Sequence, residues 1–146
     1  MRILLFGKGG QLGRELLRAL APLGELIALD RHMPGGDLSQ PEAVAAAVRR
    51  LRPTVIVNAA AYTAVDKAET ESELAHAINA LAPGVLADEA SRLGAWLVHY
   101  STDYVFDGSG GQARCESAPT NPLSVCNCSW AMVRYLRALS GCWSIP

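Results

Sequence analysis

Lysine is scarce in this chain: Lys8 and Lys67 are the only two. Lys+Arg 13 against Asp+Glu 14 gives a formal net charge of -1. No basic stripe is left to follow a nucleic acid, and no acidic tail to recruit a basic partner. Long apolar runs are also missing, so no segment is expected to span a bilayer. Cysteine is absent from residues 1–114, and all four (Cys115, Cys126, Cys128, Cys142) fall in the last 32 residues. Those spacings contain no CxxC pair, which argues against a zinc site. A disulfide framework is not expected either, because the first run, Arg2-Ile3-Leu4-Leu5-Phe6, is too short for a signal-peptide core. The location expected from these absences is cytoplasmic.

What is present is a core-forming, alternating pattern. The chain has 146 residues, is 50% hydrophobic and 18% charged, and so can bury the core of one domain. Arg2–Phe6 reads as a buried parallel strand that runs into glycines. Gly13 to Leu20 reads as a helix, with Leu12, Leu16, Leu17 and Leu20 at helical spacing and Pro22 and Gly24 at its end. Leu26–Asp30 is a second strand. Ser39 and Glu42 fit a capping box for a helix that runs to about Leu51, where Pro53 stops it. Thr54–Asn58 is a third strand. Ser72 to Leu93 reads as helix, kinked or divided at Pro83-Gly84 and closed by Gly94. Trp96–Ser101 is a fourth strand. The pattern decays after Phe106, and Trp130 to Leu139 is a weak helical stretch. Strands alternating with helices imply an α/β fold: a doubly wound parallel sheet of the Rossmann type.

The strongest motif is Gly7-Lys8-Gly9-Gly10-Gln11-Leu12-Gly13, between the first strand and the first helix. Gly7 permits a tight turn, Gly10 lets a pyrophosphate approach the backbone, and Gly13 lets the helix pack on the strand. The helix start offers free N–H groups and the positive end of the dipole to phosphates. Asp30 ends the second strand 17 residues after Gly13, near the offset of about 20 expected for an acid on the adenosine ribose. Arg31 follows at once and suits a 2′-phosphate instead, so NADH and NADPH both remain open. Asn58-Ala59-Ala60-Ala61 puts small residues at a strand end, where a flat ring or a ribose fits.

Three blocks together resemble the dTDP-4-dehydrorhamnose reductases of the extended short-chain dehydrogenase/reductase superfamily. They are Ile3 to Leu16, Val55 to Glu69 and His99 to Gly108, and the resemblance extends over roughly residues 1–125. It implies reduction of the C4 ketone of dTDP-4-dehydro-L-rhamnose with NADPH or NADH, in the supply of dTDP-L-rhamnose for surface polysaccharide. It implies pyrophosphate contacts from Gly10, Gln11 and Leu12, a ribose contact from Asp30, and an adenine-side contact from Asp37-Leu38. Ala61, Tyr62 and Thr63 would lie near the nicotinamide half. Thr102 and Asp103 would face the dTDP-sugar substrate, with Thr102 hydrogen-bonding its carbonyl. Glu15 matches a glutamate that helps hold Mg2+ at a subunit interface in some members, so the resemblance also implies a homodimer. Taken alone, Glu15 is an exposed acid in the first turn of a helix.

The resemblance also implies a catalytic Tyr-x-x-x-Lys, in which the tyrosine delivers a proton and the lysine lowers its pKa. The family pattern Pro-Leu-x-Val-Tyr-Gly-x-x-Lys falls on Pro122 to Trp130, with Cys126 at the tyrosine and Trp130 at the lysine. Neither Lys8 nor Lys67 lies four residues after a tyrosine. An isolated thiol lacks the neighbour that would tune it as an acid. The match ends abruptly after Val125, as a shifted reading frame would make it end. Residues 1–125 are therefore expected to form an incomplete dinucleotide-binding domain, and 126–146 a divergent tail without the family's substrate domain. Turnover by this chain alone is not expected. A non-catalytic NAD(P)-binding module and a truncated gene product are the alternative readings.

Overall fold

The computed structural model describes residues 1–100 and a strand at 133–137. Four strands form in the expected order: β1 (Arg2–Phe6), β2 (Glu25–Leu29), β3 (Val55–Asn58) and β4 (Trp96–Tyr100). They pair in parallel in the order β2-β1-β3-β4. Every parallel neighbour requires a crossover, and helices supply it. Helix α1 (Gln11–Leu20) and a short 3-10 turn (Ala21–Leu23) join β1 to β2, and α2 (Pro41–Leu51) joins β2 to β3. Between β3 and β4 lie α3 (Val65–Ala68), α4 (Ser72–His76), a π-helical turn (Ala77–Leu81) and α5 (Ala82–Leu93). No described helix is long and apolar enough to cross a membrane.

Two cores lie on opposite faces of the sheet, which makes the fold doubly wound. On one face Leu4, Phe6 and Ile56 pack with Val44 and Val48 of α2 and Leu86 and Ala90 of α5. On the other, Ile3, Leu5 and Val57 pack with Leu16, Leu17 and Leu20 of α1. Leu12 is the exception in the α1 stripe, at 38% exposure. Burying each of these larger side chains stabilises the fold by about 1.5–3 kcal/mol before entropy is counted.

Two local expectations, at Ser39 and at Trp130–Leu139, are corrected, and the division near Pro83 is met. Ser39 does not cap α2. Its hydroxyl and backbone N–H both donate to Asp37 Oδ1, at 2.7 and 3.0 Å. That Asx-type turn uses the side chain that a capping box needs, and α2 starts at Pro41 with Gln40 at the N-cap. The long helix from Ser72 divides just before Pro83. Proline has no N–H for the Asn79 carbonyl, and its ring crowds that turn. The backbone widens there into the π turn, with Ala82 N–H bonded to the Ala77 carbonyl. The weak helical stretch at Trp130–Leu139 contains instead a strand, β5 (Val133–Arg137), antiparallel to β4. β4 would otherwise present an unpaired edge, and an antiparallel strand on a parallel sheet is a common way to cover one.

Candidate functional site

The strand order reverses between β1 and β3: β2 lies on one side of β1 and β3 on the other. Open α/β sheets bind ligands at such a point, outside the carboxyl ends of the strands. The Gly7–Gly13 turn and the Asn58–Ala61 segment both leave their strands there.

Gly7 has φ +84°, and a Cβ on it would lie 2.7 Å from Ala60 N. No other residue type fits this backbone and this contact together. The turn is tied to β2 by the N–H groups of Gly7 and Lys8, which both reach the Leu29 carbonyl, at 3.0 and 3.2 Å. Gly10 N–H closes on the Gly7 carbonyl at 3.1 Å. A Cβ on Gly13 would run into the Gly7 carbonyl oxygen and lie 2.8 Å from Lys8 Cα. At Gly9 a Cβ would meet nothing within 4 Å, and at Gly10 only the Gly7 carbonyl, at 3.5 Å. The turn is thus closed inward at Gly7 and Gly13 and open outward at Gly9 and Gly10.

No side chain caps α1, whose N-cap is Gly10. The N–H groups of Gln11, Leu12 and Gly13 have no intrahelical acceptor at that end. Gly9 to Leu12 are exposed. This is the geometry and field that a phosphate requires, and it fits a dinucleotide pyrophosphate.

Asp30 follows β2 directly. Its Oδ1 accepts the His32 N–H at 2.9 Å, and Lys8 Nζ stands 3.6 Å from Oδ2. Lys8 also reaches Met33 Sδ at 2.9 Å. A cation from the phosphate turn therefore sits on the acid at the end of β2. Asp37 is held by Ser39. Burial pushes its carboxyl up, but the Ser39 hydroxyl and amide, Gln40 and Arg31 outweigh that and leave it below the usual range. Leu38 turns its side chain into the core at 3% exposure, so only its backbone is free to meet a ligand.

Beyond β3, Ala59 and Ala60 are half-buried and Ala61 and Thr63 are exposed. Tyr62 is clamped. Its N–H donates to Asn79 Oδ1 at 2.8 Å, and Asn79 Nδ2 donates to the Tyr62 carbonyl at 3.0 Å. Its phenol donates to Glu71 Oε2 at 2.6 Å, and that bond to a carboxylate holds the Tyr62 pKa above the ordinary phenol value. Asn58 is fully buried. Its Oδ1 accepts Ala60 N–H and its Nδ2 meets His99 Nδ1, both at 3.1 Å.

The structure thus brings Gly7, Gly10, Gln11, Leu12, Gly13, Asp30, Ala61, Tyr62 and Thr63 to the carboxyl edge of the sheet. Thr102, Asp103, Cys126 and Trp130 lie outside the described residues. Glu15 faces outward and bonds Arg18 at 3.0 and 3.2 Å, and no cluster of three metal-capable side chains occurs among the described residues. Sequence reading overlooked Lys8 as a partner of Asp30, and it overlooked Asn79, Glu71 and His99. None of the four left a local signal, because each acts on a partner distant in sequence.

The family model described as RmlD substrate binding domain matches residues 1–137. The dTDP-4-dehydrorhamnose reductase of Escherichia coli K12 is 58% identical over 127 residues, 86% of this chain and 42% of the relative. That of Streptomyces griseus is 46% identical over 130 residues, 88% of this chain and 42% of the relative. Among solved structures, the Clostridium acetobutylicum reductase gives a TM-score of 0.71 at 41% identity, covering 84% of this chain and 43% of that one. The Bacillus anthracis reductase, solved in complex with NADP, gives 0.66 at 38% identity, covering 75% and 39%. The chain spans about 42% of the length of the first curated relatives it matches. By the model match and by these identities, the chain belongs to the RmlD substrate binding domain family.

Proposed function

We propose that this chain is the cofactor-binding part of a dTDP-4-dehydrorhamnose reductase and that it binds NADPH or NADH along the carboxyl edge of β1–β4. The observation that carries this reading is the Gly7–Gly13 turn, closed by backbone at Gly7 and Gly13 and open above the uncapped start of α1. Gln11, Leu12 and Gly13 offer N–H groups to the pyrophosphate. Asp30 receives the adenosine ribose, and Lys8 offsets its charge so that a ribose phosphate is tolerated. Asp37 and Leu38 border the adenine. Asn79 and Glu71 hold Tyr62 so that the Ala61–Thr63 backbone keeps one shape beside the nicotinamide half. The NADP in the Bacillus anthracis relative supports this choice of ligand.

When bound, the reduced nicotinamide supplies a hydride for the ketone carbon of a dTDP-linked sugar. The oxygen then needs a proton and a hydrogen-bond donor. Thr102 and Asp103 are the residues that would face it. Cys126 and Trp130 occupy the positions of the family's proton-donating tyrosine and its lysine. No lysine stands four residues after Cys126 to tune a proton donor there, as the family's lysine tunes its tyrosine. In this reading the chain binds cofactor without turning over by itself. Its substrate class is a dTDP-sugar, its setting is cytoplasmic and its assembly a homodimer.

Titrating NADPH with purified chain, followed by nicotinamide fluorescence, tests the binding. Saturable enhancement is expected, and its absence at high protein concentration would remove the reading. NADPH oxidation with the keto sugar nucleotide is expected at background, and robust turnover would overturn the roles given to Cys126 and Trp130.

A further inference from the structure

Asn58, the last residue of β3, pairs in register with His99, the penultimate residue of the adjacent parallel β4, at the edge where the ligand would lie. The Asn58 amide is the better determined of the two. Its Oδ1 accepts Ala60 N–H at 3.1 Å, which fixes which end of the amide is oxygen. The other end is therefore the NH2 group, a donor, and it meets His99 Nδ1 at 3.1 Å. Nδ1 must then be the acceptor, and the neutral ring must carry its hydrogen on Nε2. An imidazolium bears hydrogen on both nitrogens, so protonation would turn a donor–acceptor contact into two facing donors.

We propose that Asn58 and His99 form a pH-sensitive brace that holds the Ala59–Ala61 turn against the phosphate turn, and that protonating His99 releases it. The lever is short. Asn58 holds Ala60, and Ala60 abuts Gly7 so closely that a Cβ on Gly7 would lie 2.7 Å from Ala60 N. His99 also stands at the exit of β4, three residues ahead of Thr102. Burial holds its imidazole below the ordinary range, with no charge contributing. β3 presents no charged residue to it. On the face that His99 shares with Leu97, the charged residues of α5 are Asp88, Glu89 and Arg92, and the π turn has none. Glu89 is already committed to Arg49 and Arg92. Arg134 is the register partner of His99 on β5.

The brace is tested directly on the 146-residue chain, and only its ligand arm rests on the cofactor reading. Nitrogen-15 spectra of the imidazoles at neutral pH should show His99 with hydrogen on Nε2. On acidification the Ala60 amide should shift with the midpoint of the His99 titration. NADPH affinity should weaken about tenfold across the same interval, the effect of losing one buried hydrogen bond. His99→Asn places an amide oxygen near the Nδ1 position and does not titrate, so that pH dependence should be gone. A neutral ring protonated on Nδ1, or an Ala60 amide unmoved through the titration, would overturn the brace. So would an unchanged pH profile in His99→Asn. If the variant fails to fold, the wild-type imidazole and Ala60 signals decide. If NADPH does not bind at any pH, the cofactor reading falls and the same two signals still decide the brace.

Discussion

Gly10→Ala separates a turn built for a ligand from a turn built only for the fold. In the structure Gly10 has φ -73° and ψ 170°, a conformation open to alanine. Its added Cβ would meet only the Gly7 carbonyl oxygen, at 3.5 Å, an ordinary contact. Alanine is a poorer N-cap than glycine by some tenths of a kcal/mol, while the unfolded chain loses about 0.4–1 kcal/mol of entropy advantage. These offset each other, so stability should change by no more than about 0.5 kcal/mol. That is a shift of about 2 °C in Tm for a chain of this length. The methyl group would, however, stand on the open side of the turn, where the pyrophosphate must approach the α1 N–H groups. Displacing phosphate oxygens by even part of a carbon radius breaks charge-assisted hydrogen bonds worth about 1.5–3 kcal/mol each. NADPH affinity should therefore fall about 10- to 100-fold. Gly13→Ala is the contrast, because its Cβ collides with backbone inside the turn. It should cost about 3 kcal/mol of stability as well as binding. Thermal melts and NADPH titrations on the three proteins make the comparison. Wild-type affinity in Gly10→Ala would refute the argument, because it would show that no ligand approaches the open side.

Asn79→Ala removes both bonds to the Tyr62 backbone. It should weaken NADPH binding several-fold and cost about 1 kcal/mol in urea denaturation, since the groups it frees reach water. Lys8→Ala leaves Asp30 without its cation. It should weaken NADPH about tenfold more than NADH in parallel titrations. Glu89 is 2% exposed, and Arg49 Nε reaches it at 2.8 Å across the α2–α5 interface. Arg49→Ala should cost about 2 kcal/mol, below the 3–5 of a fully broken buried pair, because Arg92 stays on Glu89. The Arg49 hydrogen bond, and then both arginine charges, hold the Glu89 carboxyl below its ordinary value against burial. Its folded pKa is therefore below the unfolded one. The stabilisation is complete above the unfolded value and is lost as pH falls through the folded one. Acid unfolding of wild type should steepen there, and Glu89→Gln should flatten that limb.

What could be read from the sequence was whatever depends on near neighbours. β1, the glycine turn and α1 lie within the first 20 residues, and each constrains the next: an apolar strand, a turn without Cβ, then a leucine stripe. The same locality misled at Ser39. A capping box and an Asx turn draw on the same side chain, and Asp37, two residues away, takes it. At 133–137 the helical spacing was weak, and the deciding factor lay elsewhere in the chain. Val133–Arg137 finds its hydrogen-bond partners on β4, whose free edge no local pattern reveals.

The candidate site divides along the same line. Gly7, Gly10, Gly13 and Asp30 announce themselves because backbone geometry restricts which residue types a phosphate turn can hold. Lys8, Asn79 and His99 do not, because each acts across a gap in sequence. Asn58 and His99 are 41 positions apart, and Tyr62 and Asn79 are 17 apart. Nothing in a buried asparagine's own neighbourhood tells whether it only satisfies the core or holds a loop. Here the distinction comes from what its amide grips. One end holds the N–H of Ala60, against the phosphate turn, and the other holds a ring that can change its protonation. Protonation of that ring is the perturbation that separates the two roles, because only a brace would pass it on to the Ala60 amide.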